Sequence, residues 1–120
     1  MSRAALDRIA DIRAAGAAIG QFEQAGRHEP MVFDAVRMRL LEIGEAASGI
    51  DPELRDSEPS VPWRQIIGMR NWMTHRYFDT AHAYVWATVD HDLDPLLTAL
   101  DHIQAQLRNP PITTPSPTPG

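Results

Sequence analysis

The chain has 120 residues, no cysteine, 16 acidic side chains against 11 basic ones, and a formal net charge of -5. Disulfides and thiolate metal sites are excluded, and a chain without thiols suits a reducing compartment. The length fits one domain with a modest core. The acidic balance argues against a protein that coats nucleic acid or DNA without specificity, because such proteins carry a basic footprint.

No charged and apolar leader opens the chain, and no apolar run approaches the ~20 residues that span a bilayer. The expectation is a soluble cytoplasmic protein with no membrane segment. All 11 basic residues are arginine. A few arginines in one cleft can still dominate the local field of an acidic protein.

From Ser2 to about Gly26, Ile9, Ile12, Gly16, Ile19 and Phe22 recur at spacings of three and four, which predicts a helix. Gly16 and Gly20 are the positions expected to admit a close neighbour. After the break AGRHEP, Phe33, Val36, Leu40, Ile43 and Ala47 give one apolar face of a second helix. The stretch SGIDPELRDSEPSVP is a connection, with room for a short helical turn at Pro52 to Arg55. Ser60 is the expected N-cap of a third helix, from about Pro62 through Tyr77, with Trp63, Ile66, Ile67, Met69 and Met73 on it.

Asp79 or Thr80 is the expected cap of the next helix, which carries Val85, Trp86 and Val89 and falters near HDLDP. Leu93, Leu96, Leu97, Leu100, Ile103 and Leu107 form a strong stripe ending near Arg108. The last residues, NPPITTPSPTPG, hold five prolines and no core pattern, so residues 109–120 are read as a disordered proline-rich tail behind a 1–108 domain. Nothing alternates like a strand. The expected fold is all-α, an up-down bundle of four main helices with a short accessory helix.

The stretch RNWMTHRYF, Arg70 to Phe78, concentrates the chemistry. Arginine holds phosphate oxygens with a permanently charged fork, histidine moves protons near neutral pH, and tyrosine donates a hydrogen bond or accepts a modifying group. Together these side chains suit cleavage of an RNA phosphodiester without a metal or cofactor. At 100° per residue Tyr77 returns to within about 20° of Arg70, but His75 lies about 140° away. Either the helix ends or distorts before His75, or a second copy of the chain completes the site. A two-fold dimer would bring two histidines, one for each proton transfer.

Other residues have quieter readings. Arg37, Arg39, Arg64 and Arg76 enlarge a phosphate-binding cleft or pair with nearby carboxylates, and Glu45 buttresses a cation or faces solvent. Trp63 is read as core, and Trp72 as a bundle or dimer contact or else a platform on which a base stacks. His28, His82, His91 and His102 are read as surface or cap residues. None of them forms a recognised metal-ligand spacing, and the carboxylates from Asp90 to Asp101 lack a calcium loop.

Several landmarks in order resemble the HepT-like family of the HEPN superfamily, small all-helical ribonucleases that act as toxins in bacterial toxin–antitoxin pairs. They are DAVRMRLLEIGEA (Asp34 to Ala46), VPWRQIIGMRN (Val61 to Asn71), THRYF (Thr74 to Phe78), Val85-Trp86 and DLDPLL (Asp92 to Leu97). The resemblance covers roughly Leu6 to Leu107. It implies a HEPN-like fold and a homodimer with RNA, tRNA among the candidates, as substrate. By the signature Arg-x4-His-x-Tyr it makes Arg70 and His75 a catalytic pair. Asn71, Arg39, Glu45 and Arg76 become RNA-binding or supporting residues. Tyr77 becomes the tyrosine that a cognate nucleotidyltransferase antitoxin, of the minimal MntA type, adenylylates. The chain departs from the family pattern at Asp94, inserted in DLDPLL, and at the bulky Trp72. The alternative is a noncatalytic helical module that binds RNA, a nucleotide or a nucleotidyltransferase.

Overall fold

The computed structural model describes residues 2–74 and 78–109, and among these every regular element is a helix. In chain order they are α1 (Ser2–Glu23), α2 (Pro30–Ser48), α3 (Pro52–Asp56), α4 (Trp63–Thr74), α5 (Phe78–His91) and α6 (Leu93–Arg108). The fold is all-α, as the periodicity implies. The expected proline-rich tail, apart from Asn109, lies outside the described residues.

Each boundary has a local cause. The last turn of α1 tightens, with the Gln24, Ala25 and Gly26 amides donating three residues back at 3.0–3.2 Å. Gly26 then turns the chain at φ 104, a left-handed conformation that favours glycine. Pro30 and Pro52 open α2 and α3, where a missing N–H costs nothing. Ser60 does not cap α4. That helix begins at Trp63, and the Pro62 carbonyl accepts the Ile66 amide at 3.1 Å. Asp79 and Thr80 likewise fall inside α5, which starts at Phe78. The stripe that falters at HDLDP is two helices, α5 and α6, joined at Asp92.

The helices run up and down. Arg8, near the start of α1, lies against Gly49, just past the end of α2, while the short 24–29 turn joins their other ends. On the other flank of α1, Arg13 donates to Asp101 at 2.6 Å, and Gly16 faces Leu97 and Leu93 of α6. That pairing makes α1 and α6 antiparallel. Ile9, Ile12, Ile19, Val36, Leu40, Ile43, Ile66, Met69, Leu96, Leu100 and Ile103 are fully buried where these faces meet. Burial of such side chains stabilises by ~1.5–3 kcal/mol each before entropy is counted.

The glycines of α1 do not mark a close backbone approach: a Cβ at Gly16 would meet only ordinary contacts at 3.7 Å, and one at Gly20 would meet nothing within 4 Å. Gly44 of α2 does mark one, since a Cβ there would come within 2.7 Å of the Ile66 carbonyl oxygen of α4.

Trp63 is buried as expected, and its indole N–H donates to the Glu58 carbonyl at 3.0 Å, tying α4 to the preceding connection. His102 reaches the same connection from α6, with Nδ1 2.8 Å from the Glu58 carboxylate.

Candidate functional site

Arg70 and Asn71 lie on α4, and both are exposed. Their exposure follows from the helix. Ile66, Met69 and Met73 are buried, and Arg70 sits about 40° from Ile66 and 100° from Met69, at the rim of the buried stripe. His75, Arg76 and Tyr77 lie outside the described residues, as does the side chain of Trp72, so the expected geometry of the Arg70–His75 pair lies there too. What the described residues establish is how the helices on either side of that tripeptide are held.

On one side, α4 is docked through Gly44. With no side chain at that position, the backbones of α2 and α4 come together at Ile66, about one helical turn before Arg70. On the other side, α5 is held by an aromatic cluster. The His82 ring stacks on Phe33 of α2 with centroids 4.7 Å apart. The Trp86 indole N–H donates to His82 Nε2 at 3.3 Å, and Trp86 also meets Phe33 edge-on at 6.5 Å. His82 is therefore half-buried and engaged, contrary to its reading as a surface or cap residue. Arg27, from the α1–α2 turn, places its guanidinium 4.4 Å from the Trp86 ring centroid. It also donates to Glu23 at 2.7 Å and to Asp90. Those carboxylates raise the Arg27 pKa further, Asp90 most, so it stays charged. The hydrogen bond from Arg27 holds the Asp90 carboxyl below its usual range.

These contacts also set the direction of α4. Gly44 meets α4 at Ile66, and Phe33, three turns earlier on α2, meets His82 near the start of α5. The C-terminal end of α4 therefore points toward the N-terminal end of α2, and the two helices are antiparallel.

Arg39 and Glu45 occupy a different place. They line an open groove of about 380 Å³ between α1 and α2, together with Arg8, Asp11 and Glu42. Arg39 donates from Nη1 to Glu42 at 3.0 Å, and its Nε is buried without a partner among the described residues. Arg39 lies about 140° around α2 from Gly44, and among the described residues none of α4 lines the groove. Within one chain, then, the groove and Arg70 are on different sides of α2.

A second groove, of about 190 Å³, lies between α4 and α5 and is lined by Gln65, Tyr84, Ala87, Thr88, His91 and Asp92. Burial pushes both the Tyr84 phenol and the Asp92 carboxyl up. Gln65 is about 140° around α4 from Arg70, so this groove opens away from that arginine. Sequence reading missed it, because its lining is four residues of α5, Asp92 just after them and one residue of α4, with no motif between them. Among the described residues no three His, Asp or Glu side chains gather to hold a metal ion, and no helix is long and apolar enough to cross a membrane.

A model of the family described as ribonuclease HepT-like matches residues 4–103, from the first turns of α1 to Ile103 in α6. The chain belongs to the HepT-like ribonuclease family. Among its relatives, one from Thermococcus cleftensis, named a probable ribonuclease HepT, is 32% identical over 101 residues, which is 80% of this chain and 92% of that one. A Methanocaldococcus jannaschii protein, named as a presumptive RNase, is 36% identical over 63 residues, 52% of this chain and 58% of the relative. A similarly named protein of Caldanaerobacter subterraneus subsp. tengcongensis is 32% identical over 68 residues, 57% and 61% of the two chains. The chain thus spans about three fifths of the last two relatives and nearly all of the first. No significant match was found among solved structures. In this HepT-like chain the matched span contains the whole Arg70-x4-His75-x-Tyr77 signature.

Proposed function

We propose that this chain is a metal-independent endoribonuclease, the toxin of a bacterial toxin–antitoxin pair that works as a homodimer in the cytoplasm. The observation that carries the reading is the family match across the intact signature, on a chain whose α4 and α5 are each anchored to α2 beside it.

The chemistry follows from the side chains. One histidine takes the proton from a ribose 2′-OH, and the 2′ oxygen attacks the adjacent phosphorus as the bond to the 5′ oxygen breaks. A second protonated imidazole returns a proton to that leaving oxygen. Arg70 offsets the negative charge that builds on the phosphoryl oxygens. A homodimer supplies the two imidazoles as His75 and the partner subunit's His75. Asn71 and Arg76 hold the strand beside the pair. Arg39 and Glu45 join the site across the two-fold axis, since within one chain they face the α1–α2 groove.

Tyr77 is the regulatory handle. Transfer of AMP from ATP to its phenolic oxygen by a cognate nucleotidyltransferase antitoxin releases pyrophosphate and leaves a phosphodiester beside Arg70, where RNA would bind. One such group adds about 329 Da to the intact mass.

His75→Ala tests the assignment, read by RNA cleavage and RNA binding on the same preparation. Cleavage lost with binding kept gives His75 its chemical role. Loss of both would make the histidine structural and favour a noncatalytic binding module.

A further inference from the structure

We infer that Arg37, on α2, is a second phosphate-binding cation of the Arg70 site, on the seam between α2 and α4. This rests on the ribonuclease reading for the identity of the ligand as RNA, but its evidence is separate.

The first observation is the state of the arginines. Five described arginines are half-buried: Arg13, Arg27, Arg37, Arg39 and Arg55. Four of them are partnered. Arg13 donates to Asp101 and Gln104, Arg27 to Glu23 and Asp90, Arg39 to Glu42, and Arg55 to the Ile50 carbonyl. Arg37 has neither a hydrogen bond nor an ion pair with any described residue, although Asp34 sits one turn away on the same helix. The Arg37 stem is packed into the fold while its guanidinium, whose nitrogens are not among the buried unpartnered ones, gains no acceptor from the described chain. A bound anion is the group that would satisfy it.

The second observation is place. Arg37 precedes Gly44 by seven residues and so returns to within about 20° of it, on the side of α2 that meets α4. Arg39, two residues on, is about 140° from Gly44 and faces α1 instead. Because α2 and α4 are antiparallel, moving from Gly44 toward Arg37 on α2 is moving from Ile66 toward Arg70 on α4. From the Gly44–Ile66 crossing Arg70 lies about 6 Å along the seam and Arg37 about 10.5 Å. The two cations are thus displaced in the same direction, toward the end of α4 that leads into the signature. Two arginines at adjacent levels of one seam fit a single phosphate or two consecutive ones of an RNA strand.

The test uses the full chain, confirmed by mass to be unmodified at Tyr77, and a 2′-O-methyl oligoribonucleotide, which offers no 2′-OH for attack. Binding is titrated in EDTA across salt from about 50 to 200 mM. Arg37→Gln is expected to weaken binding several-fold and make the slope of log affinity against log salt shallower by about 0.7, the value of one phosphate contact on a single strand. Arg37→Lys keeps the charge and is expected to keep the slope, while Arg108→Gln, at the exposed end of α6, changes neither. If Arg37→Gln unfolds, an Arg37→Met variant, which keeps the aliphatic stem, carries the same expectation. A slope unchanged by the loss of charge at Arg37 overturns the proposal even if the chain cleaves RNA. A changed slope on a chain that cleaves no RNA keeps it and removes the ribonuclease reading. Failure of the parental chain to bind the oligonucleotide overturns both.

Discussion

Arg27 and the two carboxylates Asp90 and Asp92 show how single residues tune the scaffold in opposite directions. Asp90 accepts from Arg27, which holds its carboxyl below the ordinary 3.8. Its stabilising contribution is therefore complete above that value and is lost as pH falls through the lower, folded one. The pair is partly exposed, so the effect is at most about 1 kcal/mol. Asp90→Asn should flatten the acid side of a melting-temperature profile, below about pH 4. Asp92 is half-buried and pushed the other way by burial. Its ionised form is disfavoured in the fold, so the penalty grows as pH rises through its raised value and is absent below the unfolded one. Asp92→Asn, which loses no side-chain cap because none is made, should raise the melting temperature at pH 7 and leave it unchanged at pH 3. A drop at pH 7 would assign Asp92 a contact other than the ones described.

The residue scale is also where sequence reading reached least far. The signature Arg70-x4-His75-x-Tyr77 can be picked out of the sequence because it is a set of residue types at fixed spacing, and its His75 and Tyr77 lie outside the described residues. The difference between Arg37 and Arg39 was not legible there. Two residues apart on a helix are about 200° apart around it, and which of the two faces α4 is decided by Gly44, a residue whose importance lies in having no side chain. His82 failed for a related reason. Its partners Phe33 and Trp86 come from two helices, and only Trp86, four residues on, was visible as a neighbour in the sequence.

At the scale of elements, glycines on helices divide into those that matter and those that do not. Gly44→Ala would set a methyl group 2.7 Å from the Ile66 carbonyl oxygen, and backbone on both sides leaves little freedom to yield. It should cost about 1–3 kcal/mol of stability, measured by chemical denaturation, and reduce RNA cleavage beyond the loss of folded protein because α4 shifts. Gly20 is exposed on α1 with nothing within 4 Å of its missing Cβ. Gly20→Ala should stabilise by about 0.5–1 kcal/mol through helix propensity alone. A destabilising Gly20→Ala would mean that something outside a single chain packs there.

The helical segments were legible from their apolar stripes, but their number was not: four main helices were expected, and the stripe that falters at HDLDP is two helices, α5 and α6. Nor were element ends. Ser60, Asp79 and Thr80 have the composition of caps, but the prolines at 59 and 62 fix where α4 enters. A turn-forming residue can sit inside a helix when packing of the elements beyond it holds the backbone there.

At the scale of the whole molecule, the groove between α1 and α2 and the outer face of α2 stand apart from the Arg70 seam. Met31 and Met38, 83% and 50% exposed, lie seven residues apart on that face. The proposed homodimer should sediment at twice the 13.4 kDa chain mass at assay concentration. A monomer with full activity would end the two-histidine scheme. The all-α class and the run of helices follow from patterning over most of the chain, and the family match over residues 4–103 agrees with them. What patterning could not supply was the packing register, which depends on single close contacts such as Gly44 with Ile66.

The most direct measurement is a time course of RNA cleavage in EDTA by the full chain, unmodified at Tyr77, beside His75→Ala at matched folding and oligomeric state. Cleavage by the first and none by the second is the expected result, and it establishes an endoribonuclease that works through the signature. No cleavage of total RNA or tRNA by either form would contradict the account and leave a HepT-like scaffold that binds without cutting.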